Sequence, residues 1–184
     1  MADTPNGTDN LLLNQELTAL ILCGLAADFM LEKGFFLATA ESCTGGMIAA
    51  ACTDLAGSSA WFERGFVTYS NAAKTELLGV DAALIAQHGA VSEPVARAMA
   101  FGAIRHSQAQ VSVAVTGVAG PAGGSADKPV GTVWFGFSVA GMLTTERMLF
   151  GGDRVLVRQA AVLHALQGLV KRLDLLVRSG ALQQ

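Results

Sequence analysis

The chain has 184 residues, of which about half are apolar and 7% aromatic, and its net charge is −3. This length suits a single domain, and the abundance of small aliphatic residues and glycine favours helices packed on a sheet over an aromatic-rich β fold. Acidic and basic residues are spread along the chain without a Lys/Arg cluster. We therefore predict no nucleic-acid partner.

The cysteines and the N-terminal segment bear on metal binding and location. Cys23, Cys43 and Cys52 form no CxxC pair and no cluster with histidine, so we expect reduced thiols and no metal site. The first ten residues are polar and lack the basic segment of a signal peptide. The apolar stretch that follows carries Asn14 and Glu16, which argues against a membrane span. These features predict a cytoplasmic protein that is not bound to membranes.

The order of predicted elements alternates between strands and helices. Residues 1–10 are expected to be a disordered tail, and residues 11–184 a single domain. Hydrophobic spacing and turn residues then predict, in chain order, an amphipathic helix from Leu13 to about Gly34, a strand over 35–40, a helix over 47–55, a strand over 61–69, helices over 72–79 and 81–88, a helix from Ser92 to about His106, strands over 111–115, 130–139 and 142–150, and a helix from Asp153 to about Val177.

Local signals refine this order into a fold. Ser92-Glu93-Pro94 is typical of a helix start, with a hydroxyl cap, an acid and an early proline. The β-branched run 111–115 predicts a central strand, the two strands flanking Gly141 predict a hairpin, and Asp153 predicts a helix cap. The fold class that follows is α/β, a three-layer α/β/α sandwich with a mixed, mostly parallel sheet.

The first candidate site residue is Ser42, in the turn 41–46 between a predicted strand and helix. A side chain there is exposed beside the positive end of the helix dipole, where a nucleophile or a bound anion is stabilised. Thr44, Gly45 and Gly46 complete the turn. The alternative is that Ser42 or Thr44 only caps the helix.

Tyr69 and Lys74 form the second candidate group, with Asn71 between them. Tyr69, the only tyrosine, and Lys74 are five residues apart across a strand end, so both are able to face one cleft. A lysine held away from water has a lowered pKa and serves as a base, and Ser-Lys pairs are a known form of activated nucleophile. The alternative is an ordinary surface lysine.

The third candidate is the Gly-rich loop 116–125, which includes Thr116, Gly117 and Gly120. Its backbone is able to approach a ligand closely, and successive N–H groups could hold a phosphate or an oxyanion. The loop matches neither the Walker pattern nor the dinucleotide fingerprint. The alternative is a flexible turn, although ten residues are many for one.

Arg154 and Arg158 form the fourth candidate group. They are four residues apart at the start of the last predicted helix and therefore share one face. Two guanidinium groups placed in this way suit a phosphate or a carboxylate. The alternative is a solvated helix face.

Together these residues resemble one known family, the CinA C-terminal domain family, whose members include nicotinamide-nucleotide amidase (NMN deamidase). The resemblance covers roughly residues 12–175. It rests on six motifs in order: Glu41-Ser42-Cys43-Thr44-Gly45-Gly46, Tyr69-Ser70-Asn71-x-x-Lys74, Val91-Ser92-Glu93 with Met99-Ala100-x-Gly102-Ala103, Thr116-Gly117-x-Ala119-Gly120-Pro121, Lys128-Pro129-Val130-Gly131-Thr132-Val133, and Arg154-x-x-x-Arg158.

The resemblance implies hydrolysis of the carboxamide of nicotinamide mononucleotide (NMN) to nicotinate mononucleotide and ammonia, a step of pyridine-nucleotide salvage, by a homo-oligomer without a cofactor. It implies that Ser42 is the nucleophile and that Tyr69 and Lys74 complete its activation. It also matches Thr116 and Arg154 to positions associated with activity. Members of full length carry a further N-terminal domain, so we expect a stand-alone form.

These implications combine with the residue chemistry into one expected site. Lys74, hydrogen-bonded through Tyr69, would accept the Ser42 proton, N–H groups near Gly45 and Gly46 or in the Gly-rich loop would hold the oxyanion, and Arg154 with Arg158 would bind the phosphate. The expected substrate-binding residues are Thr44, Gly45, Gly46, Asn71, Thr116, Gly117, Gly120, Arg154 and Arg158.

Two other functions stay open on the sequence. The same loops and arginines would serve a non-catalytic nucleotide-binding or regulatory module with a role in competence or DNA damage, although such a module needs no activated serine. The second open function is an amidase that acts on another small amide, because these motifs specify the chemistry better than the substrate scaffold. Ala122, where many relatives carry Gly or Thr, adds to this second alternative.

Overall fold

The computed structural model describes residues 7–179, with side chains from residue 13 onward. The first helix begins at Gly7, so residues 7–10 of the expected tail are helical, whereas residues 1–6 lie outside the described residues. The elements are α1 (Gly7–Lys33), β1 (Leu37–Glu41), α2 (Met47–Thr53), a 3-10 turn (Ser58–Ala60), β2 (Phe62–Val67), α3 (Asn71–Leu78), α4 (Ala82–His88), α5 (Glu93–Arg105), β3 (Val111–Gly117), β4 (Thr132–Val139), β5 (Met142–Leu149) and α6 (Arg154–Arg178).

The five strands form one mixed sheet in the order β2-β1-β3-β4-β5. β1 pairs in parallel with β2 and β3, and β4 pairs antiparallel with β3 and β5, so only β4 runs against the other four strands. The predicted central position of β3 is therefore confirmed. The predicted hairpin is also confirmed: Ala140 and Gly141 join β4 to β5 and both have positive φ, as a two-residue hairpin turn requires.

Helices cover both faces of the sheet, which confirms the predicted three-layer sandwich. α1, α2 and α6 pack on one face, and α5, with α3 and α4 against it, packs on the other. Each face has its own apolar core, one built around Phe135, Phe137 and Leu169 and the other around Val95, Met99 and neighbouring small residues. The sheet is therefore buried on both faces, so polar side chains are expected at the ends of its strands.

The leucine-rich stripe that predicts α1 is not its buried face. Leu13, Leu17, Ile21 and Leu25 are all more than half exposed. α1 instead buries a second stripe of mostly small side chains toward α2 and α6: Cys23, Ala26, Ala27 and Met30. Both stripes have helical spacing, so periodicity alone predicts the helix and not the face that it buries. None of the helices within residues 7–179 is long and apolar enough to cross a membrane.

Of two predicted helix caps, the one at Asp153 is confirmed and the one at Ser92 is wrong. Asp153 caps α6 as predicted, because its carboxylate accepts hydrogen bonds from the N–H groups of Val155 and Leu156. The predicted hydroxyl cap at Ser92 is wrong. The Ser92 hydroxyl donates to the carbonyl oxygen of Gly89 at 2.8 Å and makes no cap bond to α5. It therefore ties α5 back to the end of α4.

We expect Gly102→Ala to destabilise the fold by about 1–3 kcal/mol, because it overpacks the contact between α5 and α3. A Cβ at Gly102 would lie 2.2 Å from the carbonyl oxygen of Leu78. Gly24→Ala is the matched control. Gly24 lies inside α1, and apart from the helix's own backbone no described atom lies within 4 Å of its Cβ position, so alanine there should raise the free energy of unfolding by about 0.5–1 kcal/mol. Denaturant unfolding of both variants tests this, and an unchanged midpoint for Gly102→Ala would contradict it.

Candidate active site

The polar residues gather at one edge of the sheet, where β1, β2 and β3 end. Ser42 follows β1, Thr68 follows β2, and Thr116 and Gly117 end β3. From β1 the chain passes through α2 to β2 on one side, and β3 lies on the other side of β1. Open α/β sheets bind ligands where the strand order reverses in this way. The topology therefore places the candidate site beside Ser42.

Ser42 and Lys74 are in direct contact. The Nζ of Lys74 lies 3.1 Å from the Oγ of Ser42 and donates to the carbonyl oxygen of Thr68 at 2.8 Å. The Ser42 N–H donates to the carbonyl oxygen of Val115 at 2.9 Å, which fixes the turn to β3. Lys74 is 1% exposed and Ser42 is half-buried. The amine is therefore buried, and the hydroxyl that it contacts is partly exposed.

Burial controls the protonation of the two neighbouring nucleophilic side chains. It lowers the pKa of Lys74 below its ordinary value, because an ammonium group loses its hydration there. Burial also raises the pKa of the Cys43 thiol to about 11, so this thiol stays protonated at neutral pH. The geometry thus provides an amine that is able to accept a proton from Ser42, next to a thiol that does not compete with it.

Tyr69 does not connect Ser42 with Lys74, and the predicted link through its hydroxyl is wrong. Its side chain is 61% exposed, and its hydroxyl accepts a hydrogen bond from Arg154 at 2.9 Å. Arg154 also donates to the carbonyl oxygen of Gly120 at 3.1 Å. Tyr69, Arg154 and the Gly-rich loop therefore meet at the mouth of the cleft. Within residues 7–179 the remaining guanidinium N–H groups of Arg154 have no partner and are able to donate to an anionic ligand.

Glu41 occupies the N–H groups that the sequence analysis assigned to an oxyanion. Its carboxylate accepts from the N–H groups of Gly46 and Ile48, both at 3.0 Å, and of Ala49 at 2.8 Å. The N–H of Gly45 donates to the carbonyl oxygen of Ser42 at 3.1 Å. The assignment of the Gly45 and Gly46 amides to the oxyanion is therefore wrong. Both glycines instead supply the positive φ of the turn, 64° and 97°.

Arg158 holds the turn 41–46 through two of its carbonyl oxygens. Its Nε donates to the carbonyl oxygen of Cys43 at 3.0 Å, and a terminal nitrogen donates to that of Thr44 at 2.9 Å. Its predicted role beside Arg154 at a phosphate is not supported by these contacts. The N–H groups of Cys43 and Thr44 have no hydrogen-bond partner among residues 7–179. Both residues are buried, at 6% and 0% exposure, so these N–H groups are unpaired donors inside the turn, and only Cys43 reaches the surface.

The other predicted binding residues have different surroundings. Thr44 is fully buried, backbone included, so its predicted contact with the substrate is not supported. The hydroxyl of Thr116 is also buried and donates to the carbonyl oxygen of Ala90 at 2.9 Å. Gly117 leaves room for the Cys43 sulfur, which would lie 3.1 Å from a Cβ there. Asn71 is exposed at the start of α3. Thr116 and Gly117 therefore shape the floor of the site.

Two groups of this site, the Glu41 side chain and the Thr68 carbonyl oxygen, were not predicted from the sequence. Glu41 is 1% exposed, and its side chain holds the turn, whereas Thr68 holds Lys74 through its carbonyl oxygen. The role of Glu41 has a sequence signal: a carboxylate at the buried end of an apolar strand, just before a glycine-rich helix start. The role of the Thr68 carbonyl oxygen has none, because every residue type carries a backbone carbonyl.

Comparison with known proteins identifies the family of this chain. The family model of the CinA C-terminal domain matches residues 22–173. The nicotinamide-nucleotide amidohydrolases PncC of Escherichia coli (strain K12) and Enterobacter agglomerans are similar to this chain. The first is 57% identical over 138 residues, 74% of this chain and 84% of that protein. The second is 59% identical over 136 residues, 73% of this chain and 83% of that protein.

Solved structures give the same result for the fold. The competence damage-inducible protein A (ComA) from Klebsiella pneumoniae matches with a TM-score of 0.82 at 40% identity, over 85% of this chain and 97% of that one. The competence/damage inducible protein CihA from Agrobacterium tumefaciens matches with a TM-score of 0.81 at 41% identity, over 95% and 99%. On this evidence, the chain belongs to the CinA C-terminal domain family.

Proposed function

We propose that this protein hydrolyses the carboxamide of nicotinamide mononucleotide to nicotinate mononucleotide and ammonia. The observation that carries the proposal is the contact of 3.1 Å between the buried Lys74 amine and the Ser42 hydroxyl. Relatives named nicotinamide-nucleotide amidohydrolase, 57–59% identical, support the choice of substrate. A module that only bound nucleotides would not need a buried lysine behind a serine, because burial of an amine is costly.

In the first half of the proposed reaction, neutral Lys74 accepts the Ser42 proton while the Ser42 oxygen attacks the carboxamide carbon. The carbonyl electrons move to oxygen, and the unpaired N–H group of Cys43, the residue after Ser42, donates to this oxyanion. The Lys74 ammonium then passes its proton to the amide nitrogen. The carbon–nitrogen bond breaks, ammonia leaves, and a nicotinate ester of Ser42 remains.

In the second half, water replaces ammonia. Lys74, neutral again, accepts a proton from the water as the water oxygen attacks the ester carbon, and the same N–H group stabilises the new oxyanion. The intermediate collapses, the Ser42 oxygen leaves with the proton from Lys74, and the carboxylic acid product ionises. One amine therefore serves both steps in turn, and the Thr68 carbonyl oxygen holds it in place.

The proposal is tested by ammonia release and by product mass after incubation of the wild-type protein with NMN. Formation of one nicotinate mononucleotide per ammonia would support it. Parallel assays with nicotinamide and with other small amides decide on substrate choice, since an amidase for a different amide would prefer one of them. Tight NMN binding without ammonia release would overturn the proposal in favour of a binding module.

We expect Arg154→Ala to raise KM for NMN by about 10- to 100-fold with a smaller effect on kcat, because the guanidinium binds the substrate phosphate at the mouth of the cleft. Arg178→Ala, at the far end of the same helix in an exposed pair with Asp174, is the matched control. Steady-state kinetics with NMN and nicotinamide riboside, which has no phosphate, measure the effect. An equal KM for both substrates in the wild type would refute a phosphate site.

We also propose a cytoplasmic homo-oligomer. The exposed leucine-rich stripe of α1 supports the assembly, because a helix that is apolar on opposite faces usually buries both. Light scattering coupled to gel filtration measures the mass. A monomer throughout the micromolar range would contradict the assembly.

A further inference from the structure

We propose that Glu41 is a positioning residue that builds the oxyanion site by occupying the N–H groups of α2. This inference rests on the proposed function and assigns a further residue to it. Glu41 is the last residue of β1, directly before the nucleophile, and its side chain is 1% exposed. A carboxylate buried to this extent requires strong compensation.

The compensation comes from three backbone donors that share the two oxygens of the carboxylate. One oxygen accepts from Gly46 and Ile48, and the other accepts from Ala49. α2 has no side-chain cap of its own, since Gly46 stands at its N-cap position. Glu41, which lies in the preceding strand, therefore caps α2 in place of an N-cap side chain.

Glu41 also connects the turn with the base through its backbone. Its carbonyl oxygen accepts from the N–H of Thr68 at 2.8 Å, and the Thr68 carbonyl oxygen holds Lys74 at 2.8 Å. The side chain thus fixes α2, and the main chain of the same residue fixes the strand end behind Lys74. Because Ser42 follows directly, a shift of Glu41 changes the distance between the Ser42 oxygen and the Lys74 amine.

The consequence is a division of the N–H groups in this turn. Glu41 takes those of Gly46, Ile48 and Ala49, and Arg158 fixes the carbonyl groups of Cys43 and Thr44 on the other side. The N–H groups of Cys43 and Thr44 are left without a partner in the described part of the chain, and that of Cys43, which is not fully buried, lies next to Ser42 in sequence. Positioned donors of this kind stabilise an oxyanion without reorganising.

The decisive variant is Glu41→Gln, which keeps the size of the side chain. A carboxamide has one accepting oxygen, so its NH2 group must face at least one N–H donor of α2. We expect kcat to fall by about 10- to 100-fold while KM changes by less than about threefold, because the misplaced turn affects the transition state rather than substrate binding. The acid limb of the pH profile should stay in place, since Lys74 is unchanged. Asp81→Asn, which alters an exposed cap of α4, is the matched control.

A second readout does not depend on NMN. A fluorophosphonate labels an activated serine irreversibly, and intact mass follows the labelling of Ser42. Slower labelling of a folded Glu41→Gln variant by about tenfold or more is expected, and equal labelling rates would overturn the proposal. If the wild type is labelled but releases no ammonia from NMN, the proposed substrate is wrong and the role of Glu41 is still decided by labelling.

Amide hydrogen exchange of the wild type decides the case in which Glu41→Gln does not fold or the wild type resists labelling. The amides of Gly46, Ile48 and Ala49 should be protected by their hydrogen bonds to the Glu41 carboxylate. Fast exchange at these three amides would overturn the proposal.

Discussion

Replacing Ser42 with alanine is expected to lower kcat for NMN by about 10⁴-fold or more, because it removes the atom that forms the ester intermediate. The fold should stay intact, since the Ser42 side chain is half-buried and contacts only the Lys74 amine among the described hydrogen bonds. Ammonia release and thermal unfolding measured on the same preparation separate the two effects.

The control for Ser42→Ala is Ser107→Ala. Ser107 is partly buried and its hydroxyl donates to the carbonyl oxygen of Ala103 at the end of α5, remote in the chain from every residue of the site. Its removal should leave turnover unchanged. Residual ammonia release by Ser42→Ala close to the wild-type rate would show that the serine is not the nucleophile, and water attack without an ester would replace the proposed mechanism.

Lys74→Met is expected to lower kcat by about 10²- to 10⁴-fold, the range for loss of a general base. Methionine is unbranched and uncharged and only one atom shorter than lysine, so it should fill most of the buried space and leave Ser42 in place. In the wild type, kcat/KM should rise with pH as the Lys74 amine loses its proton, and the midpoint should lie below the ordinary lysine value because burial lowers this pKa. Full activity of Lys74→Met would rule out the assigned base.

The same variant should gain stability relative to wild type as the pH falls. The unfolded chain binds a proton at Lys74 below the ordinary pKa of 10.5, whereas the folded protein binds it only below the lowered pKa. Between these two values the unfolded state holds more protons, so wild-type stability decreases as the pH decreases and levels off below the folded pKa. Denaturant unfolding of both proteins at several pH values between 7 and about 10.5 measures the difference.

The order of the helices and strands could be predicted because each carries a local signal, whereas some boundaries differ: α1 begins at Gly7 and not at Leu13. β3 is a β-branched apolar run, Asp153 is a strong cap, and the strands on either side of Gly141 form a hairpin. The buried face of α1 could not be predicted in this way. Two apolar stripes share the helix, and only tertiary packing against α2 and α6 decides which one is buried.

The residues of the site were easier to predict than their contacts. Ser42, Lys74 and Arg154 lie at one edge of the sheet because strand ends converge there. The roles of Tyr69 and Arg158 depend on side-chain directions: the first contacts Arg154, and the second contacts the carbonyl oxygens of Cys43 and Thr44. Such contacts are long-range in sequence, separated by 85 to 115 residues, so no local pattern encodes them.

The hairpin turn at Ala140 and Gly141 makes this protein easy to tether. Val139 pairs with Val111, at the start of β3, whereas Ser42 lies at the end where β3 finishes, so the turn and the active site are at opposite edges of the sheet. A Cβ at Gly141 would meet no described atom within 4 Å, but the φ of 84° there is one that residues with a side chain rarely adopt. A flexible peptide or linker inserted between Ala140 and Gly141 keeps this glycine and lies at the edge of the sheet opposite the candidate site, which makes the turn suitable for attachment to a surface.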